Sequence, residues 1–278
     1  MSYTIFEKKE LAPNTVIMQI HAPLAVKKMR PGQFIIVRVS ANGERIPLSI
    51  SGWDREKGTV RIIVQAVGRT SSELIKLNAG DALEDLVGPL GRAAHMDKYG
   101  TCVLIGGGYG TGAIIPVARE LKELGNKVIA IVGARTKELV LMEDELRKVC
   151  DRVEVSTNDG SAGTKGLVID VLSEILKEEP VHMVTAIGPV PMMKAVSEMT
   201  RPVKIPTYVS LNAIMVDGTG MCGSCRVEVG GATKFACVDG PDFDGHQVNF
   251  DELVYRQKMY VPYEKKASEL YTCKANCH

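Results

Sequence analysis

The sequence predicts a β barrel followed by an α/β domain and a small glycine- and cysteine-rich C-terminal region. Three observations carry that prediction. Short Val- and Ile-rich runs bounded by turn signals occupy the first part of the chain; apolar strand-like runs then alternate with stretches of helical spacing; and three cysteines fall between residues 222 and 237. At 278 residues, the chain is long enough for full domains that bury their own cores without disulfides.

The barrel expectation rests on residues 15–20, 33–39, 46–51 and 59–66, each a short run suited to a strand. Arg30-Pro31-Gly32, Ala41-Asn42-Gly43 and Lys57-Gly58 supply the turns. Such spacing suggests an antiparallel barrel or sandwich, and Gly88-Pro89-Leu90-Gly91 punctuates its end. From residue 101 the rhythm changes. Residues 102–105, 127–132, 153–156 and 181–187 read as strands, and 111–124, 141–149, 166–176 and 190–199 as helices, implying a parallel sheet covered on both faces. The units are expected at 1–97, 98–209 and 210–278. Beyond Pro262 the chain reads as a charged tail.

Composition narrows the function. Lys and Arg number 34 against 33 Asp and Glu, a net charge of +1. That balance lacks the basic excess of a nucleic-acid protein, and aromatics at 5% offer few platforms for stacking bases. Residues 1–13 hold Glu7, Lys8, Lys9 and Glu10 and do not read as a signal peptide. Residues 101–118 are uncharged and about long enough to cross a bilayer, yet glycines and Pro116 interrupt them, and a phosphate loop explains them better. The expectation is a cytoplasmic chain without membrane or nucleic-acid partners. There, grouped cysteines point to metal rather than disulfides.

The phosphate loop is Gly106-Gly107-Gly108-Tyr109-Gly110-Thr111-Gly112-Ala113, between a strand and a helix. Gly108-x-Gly110-x-x-Ala113 matches the dinucleotide fingerprint of Rossmann-like domains, in which glycines let the backbone approach a pyrophosphate at a helix N-terminus. The acid usually found about 20 residues on is missing. Arg135 stands near that place and could face a 2′-phosphate, which leaves NAD and NADP both open; a solvated loop arginine is the plain alternative. Asn158, Asp159 and Gly160 follow the third parallel strand, and Gly188, Pro189 and Met192 the fourth, where ligands of open parallel sheets bind.

Cys222, Cys225 and Cys237 give C-x2-C-x11-C. Plant-type [2Fe–2S] proteins use C-x4-C-x2-C…C, and Asp217 occupies the place of the first cysteine. A [2Fe–2S] cluster held by Asp217, Cys222, Cys225 and Cys237 is therefore expected. A tetrahedral zinc site with His246 as fourth ligand is the alternative. Cys102 and Cys150 read as buried apolar residues, and Cys273 and Cys277 as free tail thiols. In the barrel, Arg45, Pro47, Leu48 and Ser49, with Val64, Ala66, Gly68, Thr70 and Ser71, set hydroxyls and an arginine near strand ends, as a flavin and its pyrophosphate require.

Barrel, glycine loop, Gly188-Pro189-x-Pro191-Met192 and cysteine group in this order resemble the ferredoxin–NADP reductase-like flavoproteins with a C-terminal [2Fe–2S] domain. Within them the chain is similar to dihydroorotate dehydrogenase electron-transfer subunits. It is similar also to small subunits of NADH-dependent ferredoxin:NADP oxidoreductase, to which Asp217 and Glu44-Arg45-Ile46-Pro47-Leu48 point. Ile46 departs from the family by standing where its flavin arginine stands, and Ile187 replaces the cysteine of the nicotinamide loop. The resemblance implies FAD and [2Fe–2S] in this chain, NAD(H) as redox partner, and a larger subunit with flavin and [4Fe–4S] clusters that communicates with ferredoxin. It also implies flavin-based bifurcation in that complex. A hydrogenase diaphorase subunit, a non-catalytic redox sensor and a zinc-stabilised nucleotide-binding module are the alternatives.

Overall fold

A computed structural model describes residues 3–275, with the side chains of 268 and 271–275 left out. The N-terminal sheet contains β1 (Tyr3–Ala12), β2 (Thr15–His21), β3 (Phe34–Arg38), β4 (Arg45–Asp54), β5 (Thr59–Gln65), β6 (Ala82–Leu83) and β7 (Asp85–Leu90). Every pairing is antiparallel, in the order β6-β1-β2-β5-β4-β3-β7. The two end strands are separated in sequence only by Glu84, so the sheet curls almost closed and keeps little free edge. Met18, Ile20, Ile35, Val37, Ile50, Ile62 and Val64 fill its interior. Helices α1 (Pro23–Val26) and α2 (Arg69–Leu74) cover its ends.

The second sheet contains β8 (Thr101–Gly107), β9 (Lys127–Ala134), β10 (Arg152–Thr157), β11 (Thr164–Lys165), β12 (Met183–Ile187) and β13 (Thr207–Ser210), all parallel. Its order is β11-β10-β9-β8-β12-β13, closed by an antiparallel β16 (Asp242–Asp244) from the cysteine region. Helices α3 (Gly110–Glu123) and α4 (Glu143–Val149) lie on one face, and α5 (Val168–Glu178) and α6 (Val190–Thr200) on the other. Strand β8 shows why both faces are covered: Cys102 and Leu104 pack with Ile114, Ile115 and Ala118 of α3, whereas Val103 and Ile105 pack with α5 and α6. The order reverses between β8 and β12, which opens a crevice at their carboxyl ends.

The cysteine region adds the hairpin β14 (Arg226–Val229) and β15 (Ala232–Phe235), then α7 (Phe250–Lys258) and α8 (Val261–Ala275). The expected charged tail is thus helical through α8, for which Glu264, Lys265, Ala267 and Glu269 are good helix formers. Cys277 and His278 lie outside the described residues, as does the side chain of Cys273. Among the described residues, no helix is long and apolar enough to cross a membrane. The uncharged stretch 101–118 divides into β8 and the start of α3.

Two close approaches seat the other units on the barrel. A Cβ on Gly112, in the first turn of α3, would stand 3.2 Å from Ser51 Cβ and press on Ile63. A Cβ on Gly218, whose φ is +80°, would stand 2.8 Å from Ile36 Cγ1. An ion triad reinforces the first seat: Arg61 Nη1 and Nη2 donate to the two oxygens of Glu145 at 2.9 and 2.8 Å, and Arg119 Nη2 donates at 2.6 Å. Arg61 also reaches the Ser51 carbonyl at 2.7 Å, so the triad continues into the β4 backbone. Glu145→Ala, which leaves the largely buried Arg61 without its carboxylate, should cost about 1–3 kcal/mol in urea unfolding at an unchanged m-value. Arg119→Ala, at a half-exposed position, should cost under about 1 kcal/mol.

Candidate cofactor-binding site

A cleft of about 1280 Å³ opens along the barrel, and all three units wall it. From the barrel come Arg45, Ile46, Pro47 and Leu48 of β4, and Gly68, Thr70 and Ser71 at the start of α2. Tyr109 enters from the glycine loop, Ile214, Met215 and Val216 from the segment leading into the cysteine loop, and Tyr263 and Glu264 from α8. Six of the nine flavin residues expected from sequence therefore line one space. Ser49 is exposed on β4 and Ala66 half-buried at the strand end, outside the lining. Val64 turns into the barrel core, and its neighbours Ile63 and Gln65 face the cleft instead, as two-residue alternation requires.

Local hydrogen bonds hold these groups in place. Ser71 Oγ accepts from the Val67 and Gly68 amides at 3.0 Å and fixes the turn into α2. Thr70 Oγ1 donates to Glu44 at 2.9 Å. Arg45 donates to Asp85 at 3.0 Å across β3, whose Arg38 is its ladder partner. Arg38 also lines the cleft, and its Nε is buried without a protein partner. Sequence reasoning passed over Arg38, because an arginine inside an Ile- and Val-rich strand carries no motif.

The glycine loop caps the crevice of the parallel sheet. Gly108 takes φ +56°, with its amide on the Gly133 carbonyl at 3.1 Å. Gly107 and Gly188 let the two loops touch: a Cβ on Gly107 would stand 2.7 Å from Met192 Sδ and 2.9 Å from Pro189. Gly110 backs directly onto the Ile187 carbonyl, and a Cβ there would lie 2.8 Å from its carbon. Gly106 packs against Thr111, whose hydroxyl is buried with no protein partner. A glycine cradle beside an orphaned hydroxyl at a helix start fits a dinucleotide pyrophosphate. Arg135, Asn158, Asp159 and Gly160 form an exposed rim beyond β9 and β10. The Ser161 hydroxyl and amide hold Asp159 there and keep its carboxyl below the usual range.

In the cysteine loop, Cys225 and Cys237 converge with their sulfurs 3.1 Å apart, both buried. Burial, reinforced by the neighbouring sulfur, pushes the Cys237 thiol up to about 12. Cys222 is exposed; a hydrogen bond with the Ser224 hydroxyl, 3.2 Å away, lowers its thiol below the ordinary value. The Asp217 carboxylate accepts from the Thr219 hydroxyl, the Thr219 amide and the Met221 amide, and is held low by those bonds and by nearby Arg45. Asp217, Cys222 and Cys225 share one loop and Cys237 follows the β14–β15 hairpin, but no three Cys, His, Asp or Glu side chains among the described residues are drawn together as a preformed metal site. Gathering four anionic donors costs Coulomb energy that only the metal's charge offsets. His246 Nε2 lies 2.9 Å from Thr200 Oγ1, a hydrogen bond that engages one of its two ring nitrogens. Soft thiolates with one carboxylate suit iron–sulfur chemistry.

Comparison with known proteins identifies two of the units. The oxidoreductase FAD-binding domain matches residues 2–95, and the iron–sulfur cluster binding domain of dihydroorotate dehydrogenase B matches residues 212–249. A Thermotoga maritima homolog of the dihydroorotate dehydrogenase B (NAD(+)) electron transfer subunit is 44% identical over 96% of this chain and 94% of its own. This chain belongs to that electron-transfer subunit family. A Fusobacterium nucleatum member is 33% identical over 89% of this chain and 98% of its own. The structure of an NADH-dependent reduced ferredoxin-NADP oxidoreductase, described for flavin-based electron bifurcation, includes a chain with 43% identity and a TM-score of 0.93, covering 98% of both chains. Phthalate dioxygenase reductase shares the fold, with a TM-score of 0.60 at 22% identity. The chain thus carries an FAD-binding domain and an iron–sulfur cluster domain.

Thiol chemistry reads the loop directly. In chain prepared without iron, iodoacetamide at neutral pH should label Cys222 first among the five cysteines whose side chains are described. Cys102 and Cys150, pushed up by burial to about 11 and about 12, and the buried Cys225 and Cys237 should lag, as peptide mapping by mass spectrometry can show.

Proposed function

We propose that this chain is the NAD-linked electron-transfer subunit of a heteromeric, electron-bifurcating ferredoxin:NADP oxidoreductase. The observation that carries the reading is the shared cleft: barrel, glycine loop and the segment leading into the cysteine loop all contribute to its walls. When bound, FAD exchanges a hydride with nicotinamide and single electrons with a cluster, chemistry that belongs to the cofactors.

The chain's own residues bind and orient. Arg45, Pro47, Leu48, Gly68, Thr70 and Ser71 form the flavin seat, and Ser49, Val64 and Ala66 adjoin it in the same chain segments without lining it. Gly106, Gly107, Gly108, Gly110 and Thr111 receive the NAD(H) pyrophosphate, and Gly188, Pro189 and Met192 border its nicotinamide end. Arg135, Asn158, Asp159 and Gly160 meet the adenosine end. Asp217, Cys222, Cys225 and Cys237 hold the [2Fe–2S] cluster. The partner is a larger subunit with flavin and [4Fe–4S] clusters, through which ferredoxin is reached. The likeness to the bifurcating oxidoreductase chain, together with aspartate at the first ligand position, favours this assignment over orotate production.

The complex purified from its native source tests the reading. NADP⁺ reduction, followed by chromatography of the nicotinamide products, should require NADH and reduced ferredoxin together. Formation of orotate from dihydroorotate, with no ferredoxin requirement, would assign the chain to a dihydroorotate dehydrogenase instead. Asp217→Ala should lose most of its iron while retaining FAD, because the flavin seat is formed by other residues.

A further inference from the structure

Ser224 occupies the two-residue spacer between Cys222 and Cys225, and its hydroxyl has two neighbours. The Val216 amide lies 3.1 Å from Oγ, and Cys222 Sγ lies 3.2 Å away. An amide N–H can only donate, so Oγ accepts from Val216 and its own proton stays free; against a deprotonated Cys222 sulfur, which can only accept, the hydroxyl is the donor. The spacer is held from outside the loop. Arg256 Nη2, on α7, donates to the Ser224 carbonyl at 3.1 Å, and Arg226 Nη1 reaches the Gly223 carbonyl at 3.4 Å. Val216 itself lines the cleft and precedes Asp217. One hydroxyl therefore joins the cleft wall to the first cysteine of the loop.

A reduced cluster carries one more negative charge than an oxidised one. A hydrogen bond to a ligand sulfur stabilises that charge and raises the reduction potential. We propose that Ser224 is a positioning residue that donates its hydroxyl proton to Cys222 sulfur in the loaded cluster, raising the cluster's potential and fixing the loop against the flavin cleft. The proposal rests on the [2Fe–2S] reading given above.

The test compares Ser224→Thr with Ser224→Val in the full chain. The two side chains have nearly the same shape and differ in the hydroxyl. Iron content and an EPR-monitored redox titration are measured for each, with the FAD midpoint followed in parallel. Threonine should keep the wild-type cluster midpoint. Valine should lower it, shifting the reduced-to-oxidised ratio at fixed ambient potential by about tenfold, with the FAD midpoint unmoved. Iron retained with threonine and lost with valine would also support the role of the hydroxyl. Equal cluster midpoints for the two variants would overturn the proposal, as would loss of iron from both, which would assign Ser224 to packing. A wild-type chain that binds no iron would overturn this proposal together with the cluster assignment.

Discussion

Close backbone approach at Gly112 and Gly218 is the constraint on which the rest of the structure depends. Gly112 brings the first turn of α3 against Ser51 and Ile63, and Gly218 brings the cysteine loop against Ile36. Interiors are packed densely enough that an added methyl group at such a contact must displace its neighbours. The two seats draw the glycine loop and the cysteine loop to the same barrel. Its cleft then receives Tyr109 from one side and Met215 and Val216 from the other. Electron transfer depends on proximity, and these contacts supply it.

Packing and electrostatics reinforce the arrangement at different depths. A continuous apolar cluster runs from Phe34 and Ile36 of the barrel, through Val103 and Ile105 of the parallel sheet, to Cys225, Val227 and Cys237. Two prospective ligands are therefore rooted in the core, while Cys222 and Asp217 lie nearer the surface. Arg45 pairs with Asp85 in the barrel, and its charge adds a small share to the lowering of the Asp217 carboxyl, which the Thr219 hydrogen bonds dominate. The family's flavin arginine would stand at residue 46, where this chain has Ile46, and Arg38 beside Arg45 offers a second cation along the same wall.

Much of this was legible in the sequence wherever backbone geometry dictates residue type. The glycine loop and the parallel alternation each impose a local pattern, and each stands where that pattern places it. Strand β1 carries no strand signature in the sequence: Glu7, Lys8, Lys9 and Glu10 interrupt any apolar alternation, although they pair with β2 on the barrel's outer surface. Helix α8 was hidden for a similar reason: its composition is polar, and only the fold reveals that it lines the cleft. The contribution of β16 to the parallel sheet is a long-range pairing that no local pattern announces. Val64 was assigned to the flavin side by segment, whereas strand alternation turns its side chain into the core.

The central claim is that nicotinamide, flavin and cluster sites form one electron path within this chain. Rapid-freeze EPR, with parallel stopped-flow absorbance, of the isolated chain mixed anaerobically with one equivalent of NADH tests it most directly. Flavin bleaching followed by the signal of a reduced [2Fe–2S] cluster is the predicted result. Flavin bleaching with no cluster signal, in protein whose iron and acid-labile sulfide are shown to be complete, would contradict the account.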